Sequence, residues 1–290
     1  MQTVASVLKE ATEQLEKAGV DTPKLDAQVL LCSVMNIDRI NLHIYPEREI
    51  SREICREFGE LIKKRVNMVP IQYIINKQEF MGLDFYIEEG VLIPRGDTEI
   101  LIEETLRIYK EKEHQQDVSI LDIGTGSGAI SVSLAKYIPK AQVYAVDISE
   151  TALRVANKNA ITNKVDSRVK FLEGSMFDPI DALKMEKHFD FIVSNPPYIP
   201  SEDVLGLDRQ VKDYEPRLAL DGGNDGLDFY RKITTKSPEF LKKNGWLLFE
   251  IGYDQGKAVK ELLLKVGFVD VEVLQDLAGK DRVVRGRINK

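Results

Sequence analysis

The chain has 290 residues, 43% of them hydrophobic and 30% charged, with a formal net charge of −7. This length suits two domains, or one domain with an appendage, and no stretch approaches the ~20 apolar residues that span a bilayer. The acidic balance lowers the expectation of a nucleic-acid partner, which usually meets a basic face. Cys32 and Cys55 are the only cysteines, unpaired in sequence, and His43, His114 and His188 are scattered. That set suggests no metal site and fits a reducing compartment, the cytoplasm.

Met1 to Gly19 mixes Lys9, Glu10, Glu13, Glu16 and Lys17 with apolar residues, an amphipathic helix rather than a secretory signal. Val4, Val7, Leu8, Ala11 and Leu15 recur at helical spacing. Thr22-Pro23 reads as an N-cap followed by a first-turn proline, opening a helix from Leu25 to Met35. Ser51 would cap a third helix through Ile54, Phe58, Leu61 and Ile62. Residues 1–70 thus form a small helical bundle. With 11 basic and 12 acidic residues in positions 1–80 it is nearly neutral. A substrate-recognition or shielding role is expected, with a purely structural appendage as the other reading. Residues 71–94 turn to period-two patterning, with Tyr73–Ile75 and Leu83–Ile87 expected as the strands of a β-hairpin connector.

From residue 95 to 290 strands and helices alternate. Strands are expected at Val118–Ile123, Gln142–Ile148, Val169–Leu172, Phe189–Val193, Trp246–Ile251, Val269–Leu274 and Arg282–Arg287. Helices are expected at Gly128–Tyr137, Glu150–Ile161, Asp228–Lys243 and Gln255–Val266. The fold class is α/β, a doubly wound Rossmann-like domain with a mostly parallel sheet. The last two strands lack a helix between them, which implies an antiparallel closing strand at one edge.

The first strand of this domain runs through Asp122 into Gly124-Thr125-Gly126-Ser127-Gly128. Glycines between a strand and a helix allow a sharp turn and close approach of a ligand. The Gly-x-Gly-x-Gly spacing is neither the dinucleotide fingerprint nor a Walker loop and fits S-adenosylmethionine better. Asp147 ends the second strand, placed to accept ribose hydroxyls; a tight βα turn with a helix-capping aspartate is the bland alternative. Met176 and Phe177, after the third strand, either wall an adenine ring or pack as ordinary core.

The fourth strand ends in Asn195-Pro196-Pro197-Tyr198. Two prolines stiffen the backbone. The Asn195 side-chain oxygen and a backbone carbonyl are then two fixed acceptors for a planar –NH2, and Tyr198 offers a face on which a flat group can stack. A conjugated nitrogen is a poor nucleophile, so positioning and stabilisation of developing charge carry its methylation. Catalysis is expected from Asn195, Pro196 and Tyr198, with Pro197 completing the substrate contact.

These loops together resemble class I methyltransferases acting on planar nitrogens. Gln78-Glu79-Phe80-Met81-Gly82-Leu83, Leu92-Ile93-Pro94-Arg95-Gly96-Asp97-Thr98-Glu99 and Ala219–Leu227 are similar to the release factor glutamine methyltransferases, the PrmC or HemK family. The resemblance covers nearly the whole chain. It implies N5-methylation of the glutamine in the Gly-Gly-Gln motif of release factors 1 and 2, with S-adenosylmethionine as methyl donor. A cytoplasmic monomer is expected, with neither nucleic acid nor membrane as partner. The competing class is a nucleic-acid amino-group methyltransferase, for example on adenine N6, which shares the acceptor tetrapeptide but should bring a basic groove. Asn195 and, by the same resemblance, Arg95 join the cofactor-binding set, and Glu99 falls near the cleft; a structural ion pair is the other reading of Arg95 and Glu99. Gly96 replaces a usual proline, Asn76 a common glycine and Ser175 a frequent acid.

Overall fold

The computed structural model describes residues 2–111 and 117–289, so His114 lies outside the described residues. The chain folds into two compact units. One comprises the residues up to Lys77 together with Asp208–Tyr214; the other comprises Gln78–Leu207 and the chain from Glu215 onward. No described helix is long and apolar enough to cross a membrane.

The first unit begins with β1 (Gln2–Thr3), followed by α1 (Val4–Lys17), α2 (Pro23–Met35) and α3 (Ile40–Ile44). It continues through β2 (Glu49–Ile50), α4 (Arg52–Val66) and α5 (Ile71–Ile75). The apolar stripe of α1 (Val4, Val7, Ala11, Leu15) packs with Ala27, Leu30 and Leu31 of α2 and Phe58 and Ile62 of α4. Ser51 caps α4 as expected, its hydroxyl accepting from the Ile54 amide at 3.2 Å. Thr22 behaves differently. Its hydroxyl donates to Asp26 at 2.7 Å because Asp26 is buried and needs every partner available: Arg65 also donates to it, at 2.6 Å. A charge taken from water survives only when paired and hydrogen-bonded. Tyr214 donates to the Asn67 carbonyl at 2.6 Å, fixing the Asp208–Tyr214 segment within this unit.

Tyr73–Ile75 lies in the short helix α5 and not in a strand. A run this short cannot distinguish the two periods, and Asn76 ends the helix in the left-handed conformation, φ 53°. That backbone explains why glycine suits the position and asparagine is tolerated.

The second unit opens on a hairpin, β3 (Gln78–Phe80) and β4 (Leu83–Phe85). Met81 and Gly82 both have positive φ, as a two-residue hairpin turn requires. Glu79 accepts from the Gly82 amide at 2.6 Å and Glu99 from the Met81 amide at 2.7 Å. A 3-10 turn at Gly96–Thr98 leads into α6 (Glu99–Glu111). Then come β5 (Val118–Ile123), α7 (Ala129–Tyr137), β6 (Ala141–Asp147) and α8 (Glu150–Thr162). These are followed by β7 (Val169–Glu173), α9 (Asp178–Ala182) and β8 (Phe189–Ser194). After the excursion through α10 (Arg209–Lys212), the chain forms α11 (Asp228–Phe240), β9 (Leu241–Glu250), α12 (Gly256–Val266), β10 (Val269–Gln275) and β11 (Asp281–Arg287). Helix α11 stops at Phe240, short of the expected Lys243, because Leu241 already pairs with Phe189 in the sheet.

The seven-stranded sheet runs β10-β11-β9-β8-β5-β6-β7. β9, β8, β5, β6 and β7 are parallel, and β11 is antiparallel to both its neighbours. The antiparallel strand therefore stands one place in from the edge. Helix α12 carries β10 a strand's width beyond β9, and a tight hairpin then returns β11 into the gap. The strand order reverses between β5 and β8, and a crevice forms at the carboxyl ends of strands at such a switch point.

Candidate active site

The loop after β5 is held from both sides. Gly124, Gly126 and Gly128 have φ of 76°, 55° and 81°, a region that favours glycine. Gly128 is also pressed on α8, where an added Cβ would lie 3.0 Å from the Ala156 Cβ; at Gly124 and Gly126 it would meet nothing within 4 Å. The first contact locks helix to loop, and the open space over the other two is where a ligand can approach. From β6, Asp147 accepts from the Gly126 amide at 2.8 Å and from the Ser149 amide at 2.9 Å. Each bond uses a different carboxylate oxygen, which leaves further lone pairs on both for incoming hydroxyls. Ile148, next in the chain, is 57% exposed and offers apolar surface beside that carboxylate. In sequence it reads as the last residue of the expected strand Gln142–Ile148, too ordinary to single out.

Asp122 sits beneath the loop, fully buried. It accepts from the Thr125 hydroxyl at 2.7 Å, and that hydroxyl lies 2.9 Å from Ser131. Burial, reinforced by the Asp147 charge, pushes its carboxyl up to about 7. Thr125 and Ser127 are buried too, and the Ser127 carbonyl accepts from Asn159 at 2.9 Å. The expected cofactor set thus separates. Gly124 and Gly126 leave open space and Asp147 keeps lone pairs to spare, whereas Asp122, Thr125 and Ser127 have buried side chains. Phe177 is buried and stacks on Phe240, ring centroids 4.8 Å apart, so its face is spent on the core. Met176 is partly buried against the same core.

The acceptor loop follows β8. Ser194 is buried and donates to the Ile123 carbonyl at 2.6 Å, coupling the acceptor loop to the glycine loop. Pro196 is buried, while Asn195, Pro197 and Tyr198 are partly exposed. The Asn195 amide nitrogen donates to the Thr98 hydroxyl at 3.3 Å. Burial, helped by the nearby Glu250 charge, pushes the Tyr198 hydroxyl up to about 12, so it stays protonated.

A second segment, Ala219–Leu227, grips this loop along its backbone. Ile199 donates to the Leu220 carbonyl at 3.0 Å, Gly222 to Ile199 at 2.8 Å and Ser201 to Gly223 at 2.9 Å. The glycines are steric necessities: a Cβ on Gly222 would lie 2.7 Å from the Tyr198 Cα, and one on Gly226 2.3 Å from the Tyr198 carbonyl oxygen. Gln255 completes the clamp. Its amide donates to the Tyr198 carbonyl at 2.9 Å and its oxygen accepts from the Gly252 amide at 3.0 Å.

Arg95 pairs with the buried Glu215, whose other oxygen accepts from the Ile93 amide at 3.4 Å. The pair pins the Ile93–Arg95 loop, and the Arg95 charge still reaches Tyr198. Glu99 is engaged with the hairpin turn. Gly96 has ordinary backbone and open space about its Cβ position, so the missing proline costs this turn no contact.

Against known families, residues 6–75 match the PrmC N-terminal domain and residues 114–261 a methyltransferase domain. The release factor glutamine methyltransferase of Geobacter sulfurreducens is 42% identical over 286 residues, covering 99% of this chain and 97% of that protein. The protein of the same name from Moorella thermoacetica is 43% identical over 97% of this chain and 96% of its own length. Among solved structures, a methyltransferase from Pyrococcus furiosus has a TM-score of 0.52 at 18% identity, covering 72% of this chain and 91% of that one. That structure shares the fold. Identity above 40% along almost the entire length decides the family: this chain belongs to the release factor glutamine methyltransferases.

Proposed function

We propose that this chain transfers the methyl group of S-adenosylmethionine to the side-chain amide nitrogen of the glutamine in the Gly-Gly-Gln motif of peptide chain release factors. The observation that carries the chemistry is the acceptor loop, Asn195 to Tyr198, clamped at the carboxyl end of β8 and hydrogen-bonded to the end of β5. The substrate class rests on the names of the full-length relatives.

The residues present fit the cofactor. Gly124 and Gly126 leave open space over the loop, Asp147 keeps lone pairs for two ribose hydroxyls, and Ile148 and Met176 supply apolar surface for a base. Bound there, S-adenosylmethionine supplies an electrophilic methyl group on a sulfonium. The rest is done by this chain. An amide nitrogen is a weak nucleophile because its lone pair is delocalised. The Asn195 side-chain oxygen and the Pro196 carbonyl accept its two N–H groups and aim the nitrogen at the methyl. As positive charge grows on nitrogen, both bonds strengthen without reorganisation. The Tyr198 ring gives the amide plane a face to lie against. No strong base is needed, since a nitrogen-alkylated amide cation is very acidic and loses its proton to water. Arg95 acts through its ion pair, fixing the wall beside Tyr198. The helical unit, which matches the PrmC N-terminal domain, serves as the recognition module for the release factor.

The test offers labelled S-adenosylmethionine with a release factor, its Gln-to-Ala variant at the Gly-Gly-Gln motif, and mixed DNA and RNA. Label on the wild-type factor alone is expected. Label on nucleic acid with none on the factor would favour the amino-group reading instead.

A further inference from the structure

Glu250 closes β9 in a run, Trp246 to Ile251, that is otherwise apolar. β9 lies parallel to β8, with Phe249 opposite Ser194, so Glu250 arrives beside Asn195. Its side chain is buried, 2% exposed. It lies close to the Thr98 hydroxyl and the Asn195 amide, both of which favour its ionised form, and its Oε2 has no hydrogen-bond partner. A buried carboxylate with an oxygen to spare is costly, and nothing in the mechanism above uses it. Thr98 is tied into the same group, since its hydroxyl also receives the Asn195 amide at 3.3 Å.

A carboxamide is asymmetric. One end donates and the other accepts, and a half-turn about its last bond exchanges them. The acceptor chemistry needs the oxygen outward. Extending the acceptor role proposed for Asn195, and resting on it, we propose that Glu250 is the positioning residue for this carboxamide: its carboxylate takes the Asn195 –NH2 inward, with Thr98 as second holder, so that Oδ1 is the atom presented to the substrate amide. Glu250 does not touch substrate. It acts only by making the wrong orientation of Asn195 place two carbonyl-type oxygens face to face.

The arrangement depends on the carboxylate being ionised. A protonated Glu250 would donate, and the Asn195 oxygen would turn inward to accept, withdrawing from the substrate. Several groups face this carboxyl. Asp97, from the turn before α6, opposes its ionisation, and Arg282, from β11, favours it. Arg282 is shared at 3.1 Å with Asp97 and at 2.9 Å with Asp276. Tyr198 is near enough to feel the Glu250 charge, and the Tyr230 hydroxyl donates to the Glu250 main-chain carbonyl at 3.0 Å. With burial the largest influence, the carboxyl is pushed up to about 7.

The test compares the wild-type enzyme with Glu250→Gln and Glu250→Ala, following kcat and KM against pH on the release factor. In parallel, the Asn195 side-chain amide is followed by nitrogen-15 NMR, assigned through Asn195→Ala. Wild type should lose kcat on the acid side with a midpoint near neutrality, and the Asn195 amide signals should move over the same range. Glu250→Ala should lower kcat roughly 100-fold while KM for S-adenosylmethionine changes little. Glu250→Gln, whose amide oxygen still accepts from Asn195, should recover most of that rate and abolish both the acid limb and the NMR titration. An acid limb persisting in Glu250→Gln would overturn the proposal. So would kcat within about threefold of wild type in Glu250→Ala, or equal loss in the two variants. Should Glu250→Ala fail to fold, Glu250→Gln and the NMR titration decide alone. Wild-type NMR titration without any transfer to release factors would remove the proposed substrate and leave the orientation of Asn195 by Glu250 standing.

Discussion

In the proposed mechanism Asn195 carries the most chemistry per atom. Its nitrogen donates to the Thr98 hydroxyl, and the proposed hold by Glu250 would leave the oxygen for the substrate. Asn195→Ala should lower turnover by roughly 100-fold or more, the usual scale for removing one preorganised polar partner. Calorimetric affinity for S-adenosylmethionine should stay close to that of wild type; an equal loss of both would mean that Asn195 serves the cofactor. Asp122 permits a second test, on stability. Its carboxyl is raised to about 7 in the folded chain, above the usual unfolded value of about 3.9. The folded state therefore binds the proton more tightly than the unfolded state does. The resulting stabilisation is full below the unfolded value and is lost as pH rises through about 7. Asp122→Asn removes the titration, so its melting temperature relative to wild type should improve between about pH 4 and about pH 8. A difference that stayed flat, or fell, would contradict the burial account.

Among the elements, the strands that build the site were the most legible. β5, β8 and the second half of β9 are largely buried runs bounded by turn residues, and buried parallel strands read as continuous apolar stretches; β6 alternates buried and exposed positions and reads by period two. Asn195 and the glycine loop follow directly from those strand ends. Other elements were not legible for identifiable reasons. The five residues of α5 are too few to show a period. Leu241-Lys242-Lys243 continues the helical composition of α11, and only the pairing of Leu241 with Phe189 makes it a strand. Helix α6 did carry a signal, with Leu101, Ile102, Thr105, Ile108 and Tyr109 buried on one face, but it lies between two louder motifs. Glu250 was visible as the single charge in the apolar run Trp246–Ile251, and its meaning needed the neighbour that the sheet register supplies. The segment Ala219–Leu227 was legible only by resemblance; its physical reason is the close approach of Gly222 and Gly226 to the Tyr198 backbone. Gly222→Ala should force that backbone away, costing about 1–3 kcal/mol in stability as an overpacked contact does. Methyl transfer should fall more than cofactor affinity. Unchanged kcat in a folded Gly222→Ala protein would show that the clamp does not set the acceptor geometry.

At the scale of the whole molecule, cofactor binding and folding are linked through the second unit. A ligand that binds only the folded state stabilises it by about 2.7 kcal/mol at a hundredfold excess over Kd. Saturating S-adenosylmethionine should therefore raise the melting temperature of the wild-type chain. If Asp147 is the ribose acceptor proposed above, the increment on adding cofactor should largely vanish in Asp147→Ala, whatever the starting stability of the variant. An undiminished increment would remove Asp147 from the cofactor site. The net charge of −7 and the nearly neutral amino-terminal region fit a protein substrate better than a polyanion. Substrate choice is then a matter of which glutamine reaches the Asn195 loop. The most direct measurement is fragmentation mass spectrometry of a release factor after reaction with this enzyme and methyl-labelled S-adenosylmethionine. One labelled methyl group per factor is expected, on the side-chain amide nitrogen of the Gly-Gly-Gln glutamine. A label on any other residue, or on a main-chain nitrogen, would contradict it.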